Sequence, residues 1–289
     1  MGDAFSACHP AVNLLYFALV LGCAMVLLHP ACLLISLGAA MAYGAVLKGK
    51  AALGGSLRFL PLAAFAAAVN VAFNHQGATI LTYLPTGNPL TVESIAYGLA
   101  TAGMLWAVIT WFSCWNAVMT TDKLVYLFGR LLPALSLVVS MALRFVPRFL
   151  EKFREIREAQ RCLGRDLAEG TLGERLKKAV TMLSILLTWS LENAVETADS
   201  MRARGYGLPG RTAFSLYRFD RRDALALAWL TLWGAGLLVQ WKQFTWHYYP
   251  TVGGSASPTA LGCYLALCFT PVILHTKEEL VWKRSRSEM

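Results

Sequence analysis

Charge is what this chain has least of: only 15% of its 289 residues are Asp, Glu, Lys or Arg, while 56% are hydrophobic, against about 25% and 45–50% in ordinary soluble domains. That shortage excludes a conventional water-facing surface if the apolar residues fall in runs of about 20, long enough to cross a bilayer. They do. The seven cysteines, Cys8, Cys23, Cys32, Cys114, Cys162, Cys263 and Cys268, contain no C-x-x-C pair. Most lie inside apolar runs, where a thiol behaves as a small hydrophobe, so neither a disulfide framework nor a metal site is expected. The N-terminus has no basic stretch ahead of its apolar run, which marks that run as a retained membrane segment rather than a cleaved leader.

Catalytic machinery is equally scarce. Gly44-Ala45-Val46-Leu47-Lys48-Gly49-Lys50-Ala51 copies G-x-x-x-x-G-K but has Ala51 where Ser or Thr must hold magnesium, and it follows a membrane span instead of a core strand. The chain is therefore not expected to hydrolyse ATP. The histidines His9, His29, His75, His247 and His275 fall near span ends, where an amphipathic side chain is comfortable. Glu192, Glu196 and Asp199 share a helical face but have no histidine near them and are followed by arginines, a composition that favours salt bridging over metal binding. No cofactor, catalytic group or metal site is expected.

Six candidate spans are present: Ala11 to Leu28, Ala31 to Leu47, Leu57 to Phe73, Val92 to Met119, Ala224 to Trp241 and Ala260 to Leu274. The expected fold class is an all-α polytopic membrane protein, with the lipid bilayer as surroundings. The first two spans are separated only by His29 and Pro30, so they form either a hairpin or one broken element. Small residues, Ala63, Ala64, Ala66, Ala67 and Ala68 and then Gly98, Ala102 and Gly103, suit close helix packing.

The net charge of +9 is better explained by basic residues kept on the cytoplasmic side than by a nucleic-acid partner. Lys48, Lys50 and Arg58 follow the second span, whereas Asn74 to Thr91 and Gln243 to Thr259 hold no Lys or Arg. Those two loops should face outward, leaving both termini in the cytoplasm, in agreement with Lys277, Lys283, Arg284 and Arg286 in the tail. Charge concentrates between Lys123 and Asp223, which hold 18 of the 26 basic and 11 of the 17 acidic residues. Three regions follow: a transmembrane region over 1–121, a cytoplasmic or interfacial helical module over 122–222, and a C-terminal transmembrane pair with a basic tail over 223–289.

Within the module, Phe145, Phe149, Phe153, Ile156, Ala159 and Leu163 recur at helical spacing on one face, and Glu151, Arg154, Glu158 and Arg161 stand opposite, spaced for alternating pairs. A second helix is expected from Leu172 to Arg204. Its apolar run Ala179 to Leu191 is too short to span and is read as buried against other helices. Gly205, Gly207, Pro209 and Gly210 end it.

The most informative local text is Met201-Arg202-Ala203-Arg204-Gly205-Tyr206. Its arginines can neutralise the carbonyl end of their own helix, worth about 0.3–1 kcal/mol, or dock into a partner's groove as guanidinium forks. The Ala-Arg-Gly step followed by an aromatic resembles the second coupling motif of the transmembrane T components of energy-coupling factor (ECF) transporters. Tyr126 to Arg130 and Leu143 to Arg148 are also similar to that family. The resemblance implies a non-enzymatic energy-coupling scaffold that joins two ABC-type ATPase subunits to a substrate-binding membrane S component for uptake of a vitamin or metal ion. It implies ATPase docking by Arg202, Ala203, Arg204 and Gly205. The first motif should then be Arg161, Cys162, Leu163, Gly164 and Arg165, where Leu163 stands in the place of the family's arginine and Arg161 or Arg165 could serve instead. Phe145, Phe149, Phe153, Leu183 and Leu187 are the candidates for the S-component surface. Two other readings stay open: an integral membrane enzyme, and a stand-alone permease using polar groups such as Asn70 and Asn116.

Overall fold

The structure, a computed structural model, describes residues 3, 5–83, 89–209 and 217–287; Gly210, expected in the chain break, lies outside them. It is 76% helical, which bears out an all-α membrane protein. The chain divides into two compact units, Met1–Leu124 with Tyr217–Met289, and Val125–Leu216.

The first unit contains α1 (Pro10–Val26), α2 (Pro30–Lys48), α3 (Lys50–Leu57), α4 (Leu60–Phe73), α5 (Val92–Val118), the start of α6 (Thr121–Leu131), α9 (Arg221–Val239), α10 (Pro258–Cys268) and α11 (Thr270–Ser287). By length and composition, Pro30–Lys48, Ala51–Phe73, Val92–Val118 and Arg221–Val239 can each cross a membrane. Pro258–Cys268 and Thr270–Arg284 make a fifth span if the pair, bent by 56°, counts as one. That revises the six expected spans: Pro10–Val26 is an apolar helix of only 17 residues, at the short limit of about 17–25 residues for a crossing.

Proline at the first position pre-sets the φ of a helix start and lacks an amide that would go unpaired there. Helices starting at Pro10, Pro30, Pro133 and Pro258 use this; in the first two a histidine precedes the proline, and the imidazole Nδ1 of His9 and of His29 accepts the amide two residues on, Ala11 N and Ala31 N, at 3.2 Å. Helix α1 packs chiefly on α5 and α9 and only slightly on α2, so the first two helices are not a close hairpin. The Gly44 to Lys50 look-alike is helix on both sides of Gly49, whose φ of 61° caps α2, and no phosphate-cradling loop exists there.

The core of this unit joins α1, α2, α5, α9 and α10 around Tyr16, Phe17, Tyr43 and Trp111. Two of its buried polar groups are paired between helices, which offsets the cost of taking them out of water: Trp111 Nε1 donates to Ser36 Oγ at 3.0 Å and Tyr16 OH to the Cys268 carbonyl at 2.9 Å. Helix α4 leaves most of its surface outward and approaches α5 at Gly98, where a Cβ would stand 3.2 Å from the Ala67 carbonyl. The small residues therefore serve packing at this point. One feature lay outside the all-α expectation: β1 (Ile80–Tyr83) and β2 (Pro89–Thr91) pair antiparallel in the loop ahead of α5.

The second unit is built from α7 (Pro133–Cys162) and α8 (Leu172–Ala203), preceded by the end of α6.

Candidate functional site

Helices α7 and α8 pack along the aromatic stripe. Ile156 and Met182 are buried, Phe149 meets Trp189 edge-on at 5.9 Å, Phe145 stacks on Phe149, and Lys152 Nζ lies 5.8 Å from the Trp189 ring centroid. Aromatic and cation–π contacts of this kind each add about 0.5–1.5 kcal/mol beyond burial. The linker between the helices is held from both sides: Thr171 and Glu174 form a reciprocal capping box at the start of α8, and Lys178 Nζ donates to the Asp166 and Glu169 carbonyls at 3.0 Å.

The two docking candidates are the C-terminal ends of these helices, and they have the same backbone. In α7 the Arg165 amide donates to the Gln160 carbonyl at 2.9 Å and the Gly164 amide to the Arg161 carbonyl at 3.0 Å. In α8 the Tyr206 amide donates to the Met201 carbonyl at 3.0 Å and the Gly205 amide to the Arg202 carbonyl at 2.9 Å. Both are Schellman ends, closed by glycines at φ 72° and 80°, a conformation that an L side chain resists. Position by position, Leu163 corresponds to Arg204, Cys162 to Ala203, Arg161 to Arg202 and Arg165 to Tyr206.

Both ends are turned outward. Leu163 is 69% exposed, the Arg161 and Arg202 side chains 75% and 81%, and Cys162, Gly164, Arg165, Ala203 and Arg204 are also exposed, with Gly205 half-buried. Arg161 Nε sits 3.6 Å from the half-buried Asp166 Oδ2, and with the guanidinium itself exposed the pair is worth about 1 kcal/mol, so a partner carboxylate can compete for Arg161. The Ala168 amide, followed by the charges of Arg161 and Arg157, holds the Asp166 carboxyl below the usual carboxylate range. At the other end Arg202 reaches only 4.0 Å from Asp199.

Several expectations for this unit need correction. Ala159 and Leu163 continue the stripe in sequence but are exposed, because the face buried against α8 stops at Ile156. The Glu151, Arg154, Glu158, Arg161 ladder does not form; the ion pairs of α7 among the described residues are Lys152–Glu155 at 2.7 Å and Arg161–Asp166. Exposed helix pairs gain only about 0.2–0.5 kcal/mol, too little to fix long side chains. The run Ala179 to Leu191 is not buried as a whole: Met182 is, Leu186 and Trp189 are half-buried, while Leu183, Leu187 and Leu191 are 53%, 56% and 68% exposed. Of the S-surface candidates, Phe145, Phe149 and Phe153 are half-buried along the stripe, whereas Leu183 and Leu187 point outward.

The sequence reading missed the extent of that outward face. On α8, Leu172, Leu176, Val180, Leu183, Leu187 and Leu191, spaced four, four, three, four and four, are all more than half exposed. On α7, Leu135, Val139, Leu143, Val146 and Leu150 repeat the spacing and are 39–57% exposed. The signal was the spacing itself, which places these residues on one side of each helix.

Little supports a permease site. Asn70 stands beside Gly98, and Asn116 is 18 residues further along α5, about 27 Å at 1.5 Å per residue. The two cannot share a ligand, and neither makes the helix-to-helix hydrogen bond expected of it: Asn70 Oδ1 is buried without a partner and Asn116 is exposed. The cavity of about 600 Å³ against α2, α4 and α5 is walled by Leu33, Leu37, Ala67, Leu99 and Ala100, with too few polar groups to orient a polar substrate. Among the described residues, no three His, Cys, Asp or Glu side chains converge on a possible metal ion.

Comparison with known proteins identifies the family. The family model described as CbiQ, cobalt transport protein, matches residues 7–214. Proteins named energy-coupling factor transporter transmembrane protein EcfT are similar over a shorter stretch. That of Bacillus selenitireducens is 38% identical over 107 residues, 37% of this chain and 40% of its own length. The Listeria monocytogenes protein, EcfT 1, is 39% identical over 106 residues, 36% of this chain and 40% of its own. The Lacticaseibacillus paracasei protein is 40% identical over 108 residues, 37% of this chain and 41% of its own. The alignments thus span about two fifths of the relatives' length.

Proposed function

This chain belongs to the CbiQ family of cobalt transport proteins, and from that premise we propose that it is the non-catalytic energy-coupling scaffold of an ECF-type importer. The observation that carries the reading is the pair of outward-turned helix ends at Leu163-Gly164 and Arg204-Gly205, alike in backbone and each flanked by arginine. Two like ends suit two like partners. Each enters the groove of one ABC-type ATPase, with Arg202, Ala203, Arg204 and Gly205 at one groove and Arg161, Cys162, Leu163, Gly164 and Arg165 at the other. ATP binding and hydrolysis belong to those partners.

The apolar faces of α7 and α8 receive the membrane S component, with Leu183 and Leu187 near the middle of the α8 row. An apolar face without fixed polar contacts tolerates sliding, because dispersion contacts re-form in many registers. The S component selects the micronutrient, a vitamin or a metal ion. The protein resides in the cell membrane, with the charged 122–222 module and both termini on the cytoplasmic side, an arrangement that takes the short helix Pro10–Val26 as a sixth crossing beside the four long spans and the bent pair and that the distribution of Lys and Arg favours.

Co-purification tests the proposal. The full chain, solubilised in mild detergent with two co-expressed ABC-type ATPases, is expected to retain both through size exclusion. Retention of neither by a folded, membrane-inserted chain overturns it.

A further inference from the structure

In the first unit, α9 and α11 are joined by side chains at two levels. Trp229 Nε1 donates to Thr270 Oγ1 at 3.3 Å, and seven residues nearer the start of α9, Arg222 donates to Glu278 Oε1 at 3.5 Å. Seven helical residues rise about 10 Å. Between the two bridges lies a cavity of about 510 Å³, floored by Cys8 and Ala226 and walled by Leu225, Trp229, Ile273 and Val281. Its size falls within the range of about 300–1,000 Å³ usual for small-molecule sites. Leu225, Ile273 and Val281 are 73%, 48% and 59% exposed, so the walls open sideways onto the surroundings of the spans.

Charge sits at one end. Arg222, Lys277 and Glu278 line the mouth, with Glu278 bridged to Arg222 and Lys277 left as the further cation, and segments 218–223 and 277–286 together carry seven basic residues against four acidic ones. One of those acids, Asp223, is buried, accepting the His9 and Asp220 amides at 2.8 and 3.1 Å, and does not line the cavity. The polar mouth and apolar depth match one molecule type: a head with negative charge on a hydrocarbon chain. A partner helix, about 10 Å across, would have to break both side-chain bridges.

We propose that this groove binds an anionic phospholipid, its phosphate held by Arg222 and Lys277 and one acyl chain lying against Leu225, Trp229 and Ile273. A basic pocket between membrane helices selects anionic headgroups by charge, and the acyl chain supplies non-specific affinity. The site is independent of ATPase docking, and its failure leaves that reading untouched.

Native mass spectrometry of the full chain tests it, after stepwise delipidation and addition of phosphatidylglycerol or phosphatidylcholine. Wild type is expected to retain phosphatidylglycerol preferentially, and excess inorganic phosphate should not displace it. Lys277→Gln should lower the preference about fivefold, with a similar further loss in the double variant Arg222→Gln/Lys277→Gln. Ala226→Phe should reduce retention of both lipids by filling the floor; if it fails to fold, the exposed Lys277→Gln variant decides alone. Equal retention of the two lipids by wild type, or an unchanged preference in the double variant, overturns the proposal.

Discussion

Leu163 and Arg204 occupy the same position in two helix ends of one geometry, at φ −85°, ψ 9° and φ −85°, ψ 8°, each followed by a left-handed glycine. The chain therefore offers its two partners the same backbone with different chemistry: an apolar side chain at the end of α7 and a guanidinium at the end of α8. If both ends dock as proposed, the α8 contact is charge-dependent and the α7 contact is not. Arg204→Glu is expected to weaken ATPase capture by more than about 30-fold, since truncating a desolvated charge pair costs about 2–5 kcal/mol and the new carboxylate repels. Leu163→Ala should weaken it by about tenfold or less, as a partly buried leucine contributes roughly 1 kcal/mol. Titration of the detergent-solubilised chain with ATPase at low and high salt separates the two. Equal salt dependence of the Leu163→Ala and Arg204→Glu losses would count against different chemistries at the two ends.

The glycines after these residues are set by backbone conformation. Gly164 has open space where a Cβ would go, so Gly164→Ala is expected to cost only the left-handed penalty of about 1–2 kcal/mol. Gly205 is tighter, since a Cβ would come within 3.1 Å of Leu208 Cδ1, and Gly205→Ala should cost more. The readout is amide hydrogen exchange at the last turns of α7 and α8. Faster exchange confined to the substituted end is expected, and unchanged protection at Arg204 and Gly205 in Gly205→Ala would contradict the Schellman assignment.

How much of this could be read in advance depended on how local the cause was. The helix end at Gly205 and the inward stripe Phe145, Phe149, Phe153 and Ile156 followed from spacing and a glycine, signals contained within one helix. The misreading of Ala179 to Leu191 came from treating length as the criterion: the helical period divides the run into an inward side with Met182, Leu186 and Trp189 and an outward side with Leu183, Leu187 and Leu191. The buried charges could not be anticipated. Asp3 accepts from Tyr43 OH at 2.6 Å, and Lys123 Nζ donates to the Ser6 carbonyl at 2.6 Å, partners 40 and 117 residues apart in sequence. Burial without such partners would be prohibitive, but nothing in the local text names them.

Asp166 provides a pH test of the α7 end. Its carboxyl is held below the usual range first by the Ala168 amide and then by Arg161 and Arg157. A depressed folded-state pKa means that the contribution is present above the unfolded value, about 3.9, and is lost as pH falls through the lower folded value. Carboxyl NMR should therefore find Asp166 titrating below 3.9. Arg161→Ala should raise that value only in part, since the backbone amide remains. Full return to the ordinary value in Arg161→Ala would make the ion pair, not the turn, the main cause.

The exposed rows on α7 and α8 separate the two proposed interfaces. Leu183→Glu and Leu187→Glu lie on the outward side of α8, each more than half exposed, so neither should disturb the Phe149–Trp189 packing, and the helical unit should keep its stability within about 0.5 kcal/mol. Placed at the centre of an apolar interface, a carboxylate has to be desolvated without a partner, which costs several kcal/mol. The double variant is thus expected to lose S-component binding while keeping both ATPases, the reverse of Arg204→Glu. Co-purification of the complete complex from membranes reads both losses in one experiment. Retention of the S component by the Leu183→Glu/Leu187→Glu chain would move that interface off the middle of α8.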